Sequence, residues 1–149
     1  MPMFLEDFKA GEVHTSPART VTEADVVAFS GLSGDYNPIH TDAEFGAASQ
    51  FKQRIAHGML GLSILSGLGS RSGMLEGTAI AFLGIEEWKF SKPILFGDTV
   101  HVRMTVAEVR PSSKPGAGVL KRRMELLNQR GEVVQSGVFV TLVKARGAK

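Results

Sequence analysis

The sequence predicts an α+β domain in which about five strands, mostly antiparallel, surround one apolar helix. Three observations predict it. The run from Ile55 to Leu68 is apolar or small nearly all round, the composition of a helix wrapped on most sides. In the second half the period falls to two: Val100, Val102, Met104 and Val106 alternate with His101, Arg103, Thr105 and Ala107, the pattern of a half-buried strand. No repeat, low-complexity stretch or linker separates the halves, so the 149 residues read as one domain, 1–149, long enough to bury a core without covalent staples.

The elements follow in order. A strand is expected near Glu12 to Thr20. Thr22-Glu23-Ala24-Asp25 is a capping-box start for a short helix through about Phe29, ended by Gly31 and Gly34. Thr41-Asp42-Ala43-Glu44 repeats that start after Asn37-Pro38 and leads into a short helix near Phe45 to Ala48. The central helix begins at about Ile55. Its Gly58, Gly61 and Gly67 each lower helix stability relative to alanine, which argues for close backbone approach. Gly67 to Gly73 is glycine-rich, yet it misses the dinucleotide spacing and follows a helix instead of a strand, so a nucleotide loop is rejected. Thr78 to Phe90 is a further strand. Leu120, Arg122, Met124 and Leu126 alternate, as do Val134, Ser136, Val138, Val140 and Leu142, with a hairpin turn at Asn128-Gln129-Arg130-Gly131.

Composition narrows the function. With 43% hydrophobic and 21% charged residues the chain is an ordinary globular one. It has no cysteine, which excludes disulfides, thiolate zinc sites and a cysteine nucleophile, and suits a reducing cytoplasm. The first eleven residues include Glu6 and Asp7 and lack a secretory pattern, and Ile55 to Leu68 is too short to cross a bilayer, so no membrane role is expected. A net charge of +2 is too small for nucleic acid but suits an anionic ligand. The basic run Lys121-Arg122-Arg123 reads as solvated charge on a strand, with a phosphate role the lesser alternative.

Asp35 and His40 lie five positions apart, a spacing that a regular helix would place on different faces. Pro38 lacks an N–H and pushes Asn37 toward extended backbone, so Asp35 to His40 should form an irregular turn whose side chains converge. An acid and an imidazole sharing one water suit general acid–base chemistry. The same Gly-Asp-x-Asn-Pro string also describes an ordinary turn in which Asp and Asn bond local backbone groups. His14 and His101 have no paired spacing and make no recognisable metal site.

Ser33-Gly34-Asp35-Tyr36-Asn37-Pro38-Ile39-His40, then Ala56-His57-Gly58-Met59-Leu60 and Ser66-Gly67-Leu68, resembles the MaoC-like (R)-specific enoyl-CoA hydratases. Phe90 to Thr99 is similar to the family's strand-turn-strand segment, so the resemblance spans roughly Thr22 to Val109. It implies a hot-dog fold, a curved antiparallel sheet wrapped round a central helix. It also implies a homodimer or dimer of dimers, with an acyl tunnel near the interface.

The resemblance further implies reversible hydration of a trans-2-enoyl thioester, carried by coenzyme A or acyl carrier protein, to the (R)-3-hydroxyacyl thioester. Asp35 and His40 would hold the water, with Asn37 fixing it or forming an Asx turn. Gly58, at the start of the central helix, would offer its N–H and the helix dipole to the thioester oxygen, or serve close packing instead. Ser66 would orient the acid, or bond back to its own helix. His57 reads as structural or as an entrance residue. No cofactor and no metal are needed, because backbone dipoles can polarise the carbonyl. Two rivals stay open: a hot-dog thioesterase, and a non-catalytic acyl-thioester binding subunit. Arg54 departs from the family, many of whose members have proline there, and Lys144 to Lys149 adds basic charge, leaving coenzyme A phosphate binding open.

Overall fold

The computed structural model describes residues 1–147. Residues 148–149, the end of the basic tail, lie outside the described residues. After a single 3-10 turn at Leu5–Asp7 come β1 (Val13–Thr15), β2 (Arg19–Thr20), α1 (Glu23–Ser33), α2 (Pro38–Thr41), α3 (Ala43–Ala48) and α4 (Gly58–Ser70). Four long strands follow: β3 (Ala79–Phe90), β4 (Thr99–Pro111), β5 (Ala117–Leu127) and β6 (Val133–Lys144). All pair antiparallel in the order β1-β4-β5-β6-β3, with β2 also on β4.

The alternation in β4 is realised residue by residue: Val100, Val102, Met104 and Val106 are buried, and the residues between them are not. The first three face Leu60, Ile64, Leu65 and Leu68 of α4, together with Met124 and Leu126 of β5 and Phe139 of β6. Each such side chain contributes about 1.5–3 kcal/mol by leaving water, which holds a glycine-rich helix in place against its poor propensity. A smaller cluster, Leu5 and Phe8 with Val106, Leu120 and Val143, fastens the N-terminal segment over the other end of the sheet.

Several boundaries differ from the sequence expectation. The front strand is two short pieces: the Ser16 hydroxyl takes the Val102 N–H that a continuing ladder would bond, and the register on β4 shifts by one residue between Thr15–Arg103 and Arg19–Val100. Helix α1 runs through Gly31 and stops at Gly34, whose φ of 76° lies in the left-handed region. Its Thr22 cap and the reciprocal bond from Thr22 N–H to Asp25 are as predicted. The cap of α3 is Asp42, not Thr41: its carboxylate accepts from the N–H groups of Glu44 and Phe45. Helix α4 starts at Gly58, because Ile55 and Ala56 are still extended and pair with Leu95 and Ile94. It ends at Ser70, so Gly67 to Ser70 are helix and not loop. Close packing explains Gly58 and Gly61, but nothing lies within 4 Å of a Cβ built at Gly67.

Strand β3 is the exception to inward burial. It is an edge strand, and Ile80, Phe82, Leu83, Ile85 and Phe90 are exposed on it. Among the described residues no helix is long and apolar enough to cross a membrane.

Candidate active site

Asn37 adopts φ −50° and ψ 131°, the extended geometry that a following proline imposes, and its side chain accepts from Ile39 N–H at 3.2 Å. Pro38 then opens the one-turn helix α2, where its missing N–H costs nothing. The Asp35 carboxylate accepts from Asn37 N–H at 3.1 Å. Turn and converging pair are therefore the same object: consecutive Asx bonds aim Asp35, and α2 brings His40 back toward it.

His40 is fixed by Ile55, whose carbonyl lies 2.7 Å from Nδ1. A carbonyl only accepts, so Nδ1 carries the proton and Nε2 of the neutral ring keeps its lone pair. His57, buried as the residue capping α4, works by the same logic. Its Nε2 sits 3.0 Å from the Asp35 carbonyl and 3.2 Å from the Ser30 hydroxyl, so Nε2–H donates and Nδ1 is left without a partner. The rings of His40 and His57 stack with centroids 3.9 Å apart, and Phe29 closes against His57 at 4.9 Å. His57 is thus a clamp joining α1, the Asp35 turn and the start of α4.

One ligating atom each from Asp35, His40 and His57 lies within 4.8 Å of the others. A separation of this order is within the span of two hydrogen bonds of about 2.8 Å through one water. The same spacing makes these three side chains the set that geometry would allow to hold a cation.

Gly58 follows His57 directly and is the first residue of α4. The first intrahelical bond at this end is from Gly61 N–H to the His57 carbonyl at 3.2 Å, so the Gly58 N–H has no helical partner. It lies at the positive end of the helix, next to His57, whose ring meets the Asp35 carbonyl and stacks on His40. A Cβ at Gly58 would come within 2.9 Å of the Phe90 ring, and Gln135 donates to the Gly58 carbonyl at 3.0 Å. Close packing therefore accounts for a glycine at this position.

The structure does not bring Ser66 to the pair. It stands two turns further along α4, is exposed, and forms no hydrogen bond to Asp35 among the described residues. Instead it lines a cavity of about 750 Å³ between the C-terminal half of α4 and strands β3, β5 and β6, shared with Gly69, Phe82, Arg122, Met124 and Thr141. Arg54, the residue out of family pattern, pairs with Glu23 at 2.7 Å and lies 4.9 Å over the Phe96 ring, tying the approach to α4 onto α1. Sequence reasoning missed three contributors. Ser30 and the Ile55 carbonyl orient histidines from distant segments, and Arg122 points inward; only the even position of Arg122 in the β5 alternation hinted at any of this.

A curved sheet cradling an apolar helix is the hot-dog fold, and relatives named as enoyl-CoA hydratases and 3-hydroxyacyl-thioester dehydratases make the chain a hydro-lyase. The chain belongs to the MaoC-like domain family, which matches residues 7–125. It is 35% identical over 145 residues to an (R)-specific enoyl-CoA hydratase of Rhodospirillum rubrum, covering 97% of this chain and 94% of that one. A solved structure named as a monoamine oxidase regulatory protein from Archaeoglobus fulgius superposes with a TM-score of 0.90 at 35% identity, covering 97% and 95% of the two chains. A Mycobacterium tuberculosis protein with a double hot-dog fold shares the fold at 22% identity and TM-score 0.83, this chain covering 46% of it.

Proposed function

We propose that the protein reversibly hydrates trans-2-enoyl-CoA to (R)-3-hydroxyacyl-CoA, with no cofactor and no metal. The observation that supports this reading is that ligand atoms of Asp35, His40 and His57 lie within 4.8 Å of one another where α4 begins at Gly58. The Asp35 carboxylate accepts one hydrogen of the water and orients it. His40 Nε2 takes the other as the oxygen bonds to the β-carbon, and the π electrons move to the thioester, where the Gly58 N–H stabilises the developing oxyanion. His40 then returns that proton to the α-carbon on the same face. Both hydrogens of the water end in the product, one on the new hydroxyl and one on the α-carbon.

The exposed apolar edge of β3 supports pairing with a second copy, because a long unpaired apolar strand is otherwise an aggregation hazard. Light scattering on the purified protein should give twice the chain mass or a multiple of it.

Purified protein should consume the conjugated absorbance of a short trans-2-enoyl-CoA without releasing thiol to a thiol-reactive dye. Asp35→Asn and His40→Ala should each abolish this while leaving the circular dichroism spectrum intact. Thiol release would instead identify a thioesterase, and tight acyl-CoA binding without turnover a binding subunit.

A further inference from the structure

Of the three consecutive basic residues Lys121, Arg122 and Arg123, two behave as surface charge. Lys121 pairs with Glu86 at 3.0 Å, and Arg123 lies 3.9 Å from Glu125, which Arg103 also holds. Arg122 does neither. Its even position on β5 turns it inward, opposite Val106 on β4 and Phe139 on β6, and leaves it 8% exposed. Nη2 donates to the Thr141 hydroxyl at 2.9 Å, Nη1 reaches only the Met104 sulfur at 3.8 Å, and Nε is buried without a partner. No carboxylate lies within 4.0 Å of it among the described residues. Burial alone pulls its pKa down to about 10, which still leaves it cationic near neutrality.

A buried cation without a counter-ion is unfavourable, and a leucine would satisfy the same alternation without that cost. What Arg122 does have is the cavity of about 750 Å³, which it lines together with Ser66, Gly69 and Thr141. Gly58, Leu62, Ser66 and Gly69 recur at helical spacing and so form one stripe along α4. The 1.5 Å rise per residue puts Ser66 about 12 Å along the axis from Gly58. An acyl group running from the Gly58 N–H along this stripe would reach Ser66, which lines the cavity. A hydrocarbon end there would strip water from the guanidinium and return nothing to it, whereas a carboxylate would complete its hydrogen bonding in the bidentate geometry arginine favours. At the rim, Arg71 and Glu76 are both exposed and supply opposite charges.

We propose that this cavity receives the distal end of the acyl group and that Arg122 selects thioesters whose acyl chain ends in a carboxylate. The proposal rests on the thioester hydratase reading above, and its test keeps the two apart. Hydration of trans-2-enoyl-CoAs is compared at matched chain length, with a methyl or a carboxylate terminus, in the wild type and in Arg122→Met. Binding of the matching saturated acyl-CoAs and of free coenzyme A is measured by calorimetry on the same proteins.

The wild type should favour the carboxylate-ended substrate in kcat/KM at one or more chain lengths. Arg122→Met should lose about 10- to 100-fold on it, the range for a charged hydrogen bond, while methyl-ended substrates lose nothing. Turnover with no carboxylate preference and no Arg122 effect overturns this proposal and leaves the hydratase reading standing. Carboxylate-dependent binding that vanishes in Arg122→Met, with no turnover anywhere, does the reverse. If Arg122→Met weakens free coenzyme A equally, the residue reads a phosphate and the proposal falls. Should that variant fail to fold, the wild-type preference between termini decides alone.

Discussion

The two ends of α4 pose opposite problems. At the N-terminal end the backbone is pressed against its surroundings: a Cβ at Gly61 would come within 2.2 Å of the Gln135 amide and 2.6 Å of Ile94, and His57 is locked between Ser30 and Asp35. At the C-terminal end a Cβ at Gly67 meets nothing, and the helix borders a cavity lined by a guanidinium whose Nε has no partner. The crowded end holds its side chains and backbone in a fixed geometry, which the proposed acid–base chemistry would need. The open end has no such constraint and can differ in shape and charge without disturbing the reaction.

That contrast can be broken most sharply by chemistry. Asp35→Asn should lower kcat by about 10²–10⁴-fold, the usual worth of a positioned acid or base, with an unchanged melting curve; near-normal turnover would move the active site away from the crowded end. Gly61→Ala comes next. Overpacking should cost about 1–3 kcal/mol in urea unfolding, and by displacing Gln135 it should also disturb the Gly58 carbonyl that Gln135 holds. The identical change at Gly67 should have the opposite sign, stabilising by about 0.5–1 kcal/mol, because it adds helix propensity into open space. Equal effects at the two glycines would erase the distinction.

The smallest effect lies outside both ends, in the β5–β6 hairpin. Glu132 is held down to about 2, first by the hydrogen bond from the Asn128 amide and then by Lys92 and Arg130. A carboxyl lowered on folding adds stability that is complete above its ordinary value of 4.5 and is lost as pH falls through about 2. An NMR titration of the Glu132 side chain should show that low midpoint, and Asn128→Ala should raise it.

Much of this was legible because it is local. Thr22 and Asp25 name a helix start whatever they pack against, and Asn37-Pro38 sets its own backbone geometry. Strand alternation in β4 records which side faces water. Where sequence reading went astray, the deciding group was distant in the chain. The strand expected at Glu12 to Thr20 broke after Ser16, whose hydroxyl takes the N–H of Val102, 86 residues away, and the register shifts there by one residue. Ser66 looked near the pair by family position, yet a helix carries it two turns away. The hydrogen bonds that choose the tautomers of His40 and His57 come from Ile55 and from Ser30 and Asp35.

By itself, then, the sequence determined the α+β class, the apolar helix, the turn at Asp35 to His40 and the family resemblance, all of them consequences of residue type and short-range spacing. The tertiary structure alone decided which lone pair His40 presents, why Gly61 cannot bear a side chain, and that Arg122 sits inside while Lys121 and Arg123 sit outside. The physical reason is common to all three. A proton's place, a void and an unpaired charge are each defined by atoms that only folding brings within a few ångströms.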